Sequence, residues 1–131
     1  MAFSVLFVTG AGWLVADRLK DAASGEAWQM IAAYLLMLHG GAAMATLLLL
    51  GALVPLHIQR AWRSRRNWIT GTTMVAFNAL LILSAFGLYY LGSDTTRHWT
   101  SNLHIVIGLG LPVLFLVHIL IGRRSSRTSR R

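Results

Sequence analysis

Chemistry in this sequence is concentrated in histidine. There are five, and with no cysteine in the chain the imidazole ring is the main nitrogen or sulfur donor it offers a metal. His98 stands beside Arg97 in a polar link and reads as an exposed residue. The other four lie within or at the ends of two long apolar segments, His39 and His57 in one, His104 and His118 in the other. The second of these reads "SNLHIVIGLGLPVLFLVHILIGRR" over residues 101–124. A polar ring without a partner is costly in hydrocarbon, so each of these imidazoles needs a hydrogen bond or a ligand there.

Helical spacing sorts the four into pairs. His104 and His118 are 14 positions apart, which on an α-helix returns to within about 40° of one face after a rise of about 21 Å. His39 and His57 are 18 apart, which is five turns and about 27 Å along one face. Each segment thus offers one imidazole near each end of a stripe. Where the two segments run in the same direction, His39 can meet His104 and His57 can meet His118.

Two neutral imidazoles from facing helices at one depth form the axial set of a six-coordinate haem iron. Small residues beside the outer ligands, Gly40, Gly41, Ala42 and Ala43 after His39 and Gly108 and Gly110 after His104, would leave room for a flat macrocycle. They would equally suit close helix packing. Phe115, on the stripe between His104 and His118, suits a macrocycle or an ordinary core. Arg60 and Arg63 follow His57, and Arg123 follows His118, so anionic propionates have partners at the inner level. At the outer level the candidates are Arg97, Arg18, Trp99 and Asn102. For any single histidine the plain reading is a polar contact between helices. Agreement of face, depth and direction among four favours ligation.

The elements that must position these residues are membrane spans. The chain is 56% hydrophobic and 12% charged, and its polar residues cluster between apolar runs long enough, at about 20 residues, to cross a bilayer. The runs cover residues 3–16, 27–58, 68–91 and 99–122. The first lacks a basic n-region, which weighs against a cleaved signal peptide. The second is too long for one simple crossing. Counted upward from Arg60, His39 is reached after about 31 Å of helix, so residues 27–37 are expected to bend, tilt or lie at the outer interface. The 14-against-18 mismatch, about 6 Å of rise, needs tilt of span two or a distortion near Gly51 and Pro55. The expected layout is one transmembrane domain over 1–131, with spans at about 3–16, 38–58, 68–91 and 99–122 and a basic tail at 123–131.

Charge placement orients the spans. Arg60, Arg63, Arg65 and Arg66 fill one link, and Arg123, Arg124, Arg127, Arg130 and Arg131 the tail, whereas all four acids fall in the other two links. By the positive-inside rule both termini face the cytoplasm, and spans two and four run in parallel. The net charge of +8 is then topological and implies no nucleic acid. All five tryptophans fall at span ends, as rings that favour the headgroup region should. No Ser/His/Asp arrangement, phosphate-cradling glycine loop or carboxylate pair inside a span is present, which removes hydrolase and kinase readings. "FVTGAGWLVAD" and "LSAFGLYYLGSD" close spans one and three. Each precedes a link and a histidine-bearing span, so the chain reads as two helix hairpins, although any two membrane hairpins look alike at this level.

The segments "LHGGAAMATLLLLGALVPLHIQRAWRSRRNWITG", "GLYYLGSD" and "LHIVIGLGLPVLFLVHILIGRR" resemble small bacterial four-helix membrane proteins related to b-type cytochromes. The wider group includes the cytochrome b subunits of formate dehydrogenases and nickel-iron hydrogenases. The resemblance covers residues 35–124 well and the first span more loosely. It implies an all-α cytochrome b-like four-helix bundle, b haem held by His39, His57, His104 and His118, and electron exchange with quinone or a redox protein subunit. The larger cytochrome b subunits also use a histidine in their first span. None is present here, so a site depending on it is absent or differently ligated.

The expected function is therefore a di-haem b-type electron-transfer subunit in contact with membrane lipid, rather than a self-contained enzyme. The alternative is a haem-free structural or assembly subunit whose histidines bond between helices. A transition-metal path is disfavoured by the lack of membrane carboxylates, cysteines and a methionine ladder.

Overall fold

The computed structural model describes residues 2–21, 25–59 and 68–128, with side chains described as far as Arg123. The described residues form an all-α, four-helix fold. Helix α1 spans Ala2–Leu19 and α2 spans Gly25–Leu53, continued by a π-helical turn at Val54–Ile58; α3 spans Trp68–Tyr90 and α4 spans Asp94–Thr128. Each of the four is long and apolar enough to cross a membrane, as a multi-pass membrane protein requires. Their large apolar side chains are turned outward, Leu48 at 79% exposure, Ile69 at 80% and Val106 at 69%. A helix apolar on every side is at home in lipid, where that surface needs no protein cover.

The chain divides into two compact units, Met1–Pro55 and Leu56–Arg131. In the first, α1 packs on α2; in the second, α3 packs on α4. Both seams use small residues, which let backbones approach where no hydrophobic effect drives helices together. In the first unit Ala16 and Ala32 are buried, and a Cβ at Gly12 would stand 3.4 Å from Leu35. In the second Ile107 is buried, and a Cβ at Gly87 would stand 3.3 Å from the Thr100 methyl.

Links and termini follow local rules. The amide of Leu91 donates to the Gly87 carbonyl at 2.8 Å, closing α3, and that of Arg97 donates to the Ser93 carbonyl at 2.9 Å, opening α4. Ser93 is thus the N-cap and Asp94 the first helical residue, where a carboxylate suits the helix dipole. Only residues 91–93 separate the two helices. Beyond α1, Lys20 Nζ donates to Asp17 at 2.7 Å. This hydrogen bond and the Asp17 charge hold the lysine above its ordinary pKa.

Helix α2 runs on without a break and carries the expected distortion. Residues 27–37 are continuous with the rest of the helix, with no break setting them apart. The whole element, Gly25–Ile58, has 34 residues and is about 51 Å long against a hydrocarbon core of about 30 Å, so its excess is taken up by tilt or overhang. The distortion expected near Gly51 and Pro55 is the π turn at Val54–Ile58. Pro55 has no N–H to give the Gly51 carbonyl and its ring crowds that carbonyl, so the helix winds wider there. One π turn shifts the helical phase by up to about one residue, or about 100°. His57 therefore does not sit where five uninterrupted α-turns from His39 would put it.

Helix α4 also runs further than span four was drawn. It begins at Asp94 and continues to Thr128, so residues 123–128 of the expected tail are helical. Pro112 lies inside it, four residues after Gly108, whose carbonyl loses its usual intrahelical donor.

Candidate functional site

Each hairpin seats a histidine of its second helix on a hydroxyl of its first. In the first unit, half-buried His39 of α2 places Nδ1 3.0 Å from the Leu6 carbonyl and 3.1 Å from Thr9 Oγ1. The Thr9 hydroxyl also contacts carbonyls of its own helix, Val5 at 2.7 Å and Leu6 at 3.2 Å. Beside Thr9 is Gly10, where a Cβ would lie 3.1 Å from His39 Cε1. The glycine is what lets the ring approach α1 so closely. One turn or two along the same seam, Thr46 is buried and donates to the Ala42 carbonyl at 2.8 Å.

In the second unit the pattern occurs twice. Half-buried His104 places Nδ1 2.8 Å from Ser84 Oγ, and Ser84 reaches the Leu81 carbonyl at 3.1 Å. His118 places Nδ1 3.0 Å from Thr70 Oγ1. A Cβ on neighbouring Gly71 would lie 3.9 Å from His118 Cε1. In all three rings the hairpin engages Nδ1, so a metal held by any of them would be bound through Nε2. Such an outer hydrogen bond on the far ring nitrogen is the usual support of a ligating histidine.

His57 and His118 also lie side by side within the second unit, with ring centroids 6.5 Å apart and planes at 80°. A metal–imidazole bond of about 2.0 Å, plus about 1.1 Å from nitrogen to ring centre, puts two imidazoles on opposite sides of one ion about 6.2 Å apart. The observed separation is close to that distance, with the two rings meeting edge to face. Among the described residues no three His, Cys, Asp or Glu side chains converge; His57 and His118 are a neighbouring pair of imidazoles. No family model, curated protein or solved structure matches the chain. The site rests on its own residues.

The remaining expected site residues are placed as follows. His39 and His104 belong to different units and are described only within them. Arg97 is exposed on the first turn of α4; because that helix is unbroken, it stands two turns before His104 on the same face, about 10.5 Å along the axis. Arg123 is exposed at the other end of α4, five residues after His118, about 7.5 Å on. Arg60 and Arg63 lie outside the described residues. Gly108 lies on the α3–α4 seam, a Cβ there meeting Leu81 at 3.8 Å, whereas a Cβ at Gly40, Gly41 or Gly110 would meet nothing within 4 Å. Close packing within the hairpin therefore accounts for Gly10 and Gly87, but not for Gly40, Gly41 or Gly110. His98 is exposed as expected, 3.1 Å from Asn102 Nδ2.

Sequence reading missed Thr9, Thr70 and Ser84, together with Gly10 and Gly71. Two of the three hydroxyls carry a signal. "FVTGAG" and "WITGTT" each place a Thr-Gly pair in an apolar helix that precedes a histidine-bearing one. The hydroxyl bonds the ring in both, and at Gly10 the glycine also admits it.

Proposed function

We propose that this chain is a b-type haem cytochrome of a bacterial inner membrane, with a cytochrome b-like bundle and both termini in the cytoplasm. It carries electrons between quinone or quinol and a redox partner. His57 and His118 would hold one haem, with Arg123, Arg60 and Arg63 near its propionates; His39 and His104 are each candidate axial ligands for further haem, with Arg97 on the same helix face as His104. A bound haem supplies one-electron chemistry. The chain's own part is to hold the imidazoles, keep their Nδ1 atoms engaged and surround the group with lipid-facing apolar helices. The observation carrying this reading is the 6.5 Å separation of the His57 and His118 rings, the spacing two imidazoles need on one metal. Three rings braced through Nδ1 add to it.

The same three bonds favour one other reading, a haem-free structural or assembly subunit whose histidines tie helix to helix. A pyridine haemochrome assay on purified protein separates the two. One or two b haems per chain, with a Soret band and split α bands on reduction, support the cytochrome. A colourless protein that binds no added haem supports the structural subunit.

A further inference from the structure

Among the described residues only three polar side chains are buried, Thr9 at 6% exposure, Thr46 at 4% and Ser84 at 5%. In helices that leave most of their surface outward, two of these three touch a histidine. A buried hydroxyl aimed at an imidazole constrains where the ring proton sits, because each group has a fixed stock of donors and acceptors.

For His39 the constraint is direct. The Leu6 carbonyl 3.0 Å from Nδ1 can only accept, so Nδ1 must carry the proton. Thr9, 3.1 Å away, is compatible, since its own proton can go to the Val5 carbonyl at 2.7 Å. For His104 the constraint comes from counting. Ser84 has one proton and two contacts, the Leu81 carbonyl at 3.1 Å and His104 Nδ1 at 2.8 Å. Both are hydrogen bonds at once only when Ser84 donates to Leu81 and accepts from Nδ1–H. The other arrangement leaves the carbonyl contact unmade and puts the ring proton on Nε2, where no metal could bind.

We propose that Thr9 with the Leu6 carbonyl, and Ser84 backed by the Leu81 carbonyl, are positioning groups that lock His39 and His104 in the Nδ1–H tautomer. Each ring then keeps its proton on Nδ1 and its Nε2 in the unprotonated form that a metal would require. This form is the minor one for a free imidazole, so the lock removes a cost that binding would otherwise carry. The effect at iron rests on the haem reading above; the tautomer does not.

The test uses the full chain, isotopically labelled with ¹⁵N-histidine and prepared without haem in lipid nanodiscs, at a pH about two units above the imidazole range. His39→Asn and His104→Asn assign the resonances. Wild-type His39 and His104 should each show a protonated Nδ1 and an unprotonated Nε2. In Ser84→Ala, His104 should revert toward Nε2–H with His39 unchanged, and Ser84→Thr should restore the wild-type pattern. Thr9→Val should move His39 less, because the Leu6 carbonyl remains. An Nε2–H ring in the wild type, or a Ser84→Thr protein that behaves like Ser84→Ala, overturns the proposal. In the haem-loaded protein Ser84→Ala should raise the midpoint potential of the centre lost in His104→Ala, because a ligand without its outer acceptor is less basic and favours ferric iron less. An unmoved potential overturns the positioning role, whereas locked tautomers in a protein that binds no haem overturn the cytochrome reading alone.

Discussion

The imidazole of His39 rests directly on Gly10, so that a methyl group added at the glycine would stand 3.1 Å from Cε1 and 3.3 Å from Nδ1. The corresponding pair in the second hairpin is looser, with 3.9 Å between a Gly71 Cβ and His118 Cε1. Two glycines in similar sequence contexts thus have different tolerances. Gly10→Ala should push the ring away from Leu6 and Thr9, an overpacking cost of about 1–3 kcal/mol that offsets the gain of about 1 kcal/mol from replacing a helical glycine. Gly71→Ala makes an ordinary contact and should keep that gain. Thermal unfolding in detergent should show the second variant at or above wild type and the first below it, with the His39 resonance altered only in the first.

Replacing either member of the inner pair should remove one and the same haem. His57→Ala and His118→Ala should each lower the haemochrome stoichiometry by one and leave identical spectra for the centre that remains. Different residual spectra would show that the two rings serve different sites.

The π turn makes Pro55 a second determinant of that pair. Pro55→Ala restores an N–H for the Gly51 carbonyl and lets the segment rewind as α-helix, turning His57 by up to about 100° about the helix axis. Helix stability should rise, by as much as about 3 kcal/mol by propensity, while haem at the His57–His118 site falls. Thermal unfolding and haem content should therefore move in opposite directions. A parallel rise in both would break the link between the turn and the ligand.

Orientation is open to direct measurement. A reporter fused after Arg131 and another inserted between Arg63 and Arg66 should both report cytoplasm, because arginine-rich segments are retained there. A periplasmic signal from either would overturn the proposed orientation.

Element type and number were legible in the sequence because runs of apolar residues near bilayer length are strongly constrained. Helices α1 and α3 begin and end within a few residues of the spans read from hydropathy. Ends set by capping were less visible: Ser93 and Asp94 start α4 five residues before the span was drawn. Division into two hairpins was also legible, from the paired links. The phase of His57 was not, since one proline changes the winding and equal spacing in sequence no longer means equal spacing around the axis. Nor were Thr9, Ser84 and Thr70, because serine and threonine occur in membrane helices for many reasons, most often bonding to their own backbone, as Thr46 and Thr73 do here. Only the neighbouring helix distinguishes a hydroxyl that serves an imidazole from one that does not.

The link of residues 91–93 has a bearing on biogenesis. So short a connection obliges α3 and α4 to enter the bilayer together, as one hairpin, and not one after the other. By the time His104 and His118 leave water, Ser84 and Thr70 are already beside them, each on the helix made just before. The transfer penalty for those two ring nitrogens is then met during insertion, by the nascent pair itself. A translocation machinery would therefore handle α3 and α4 as a single cargo, its two ring nitrogens already partnered on release.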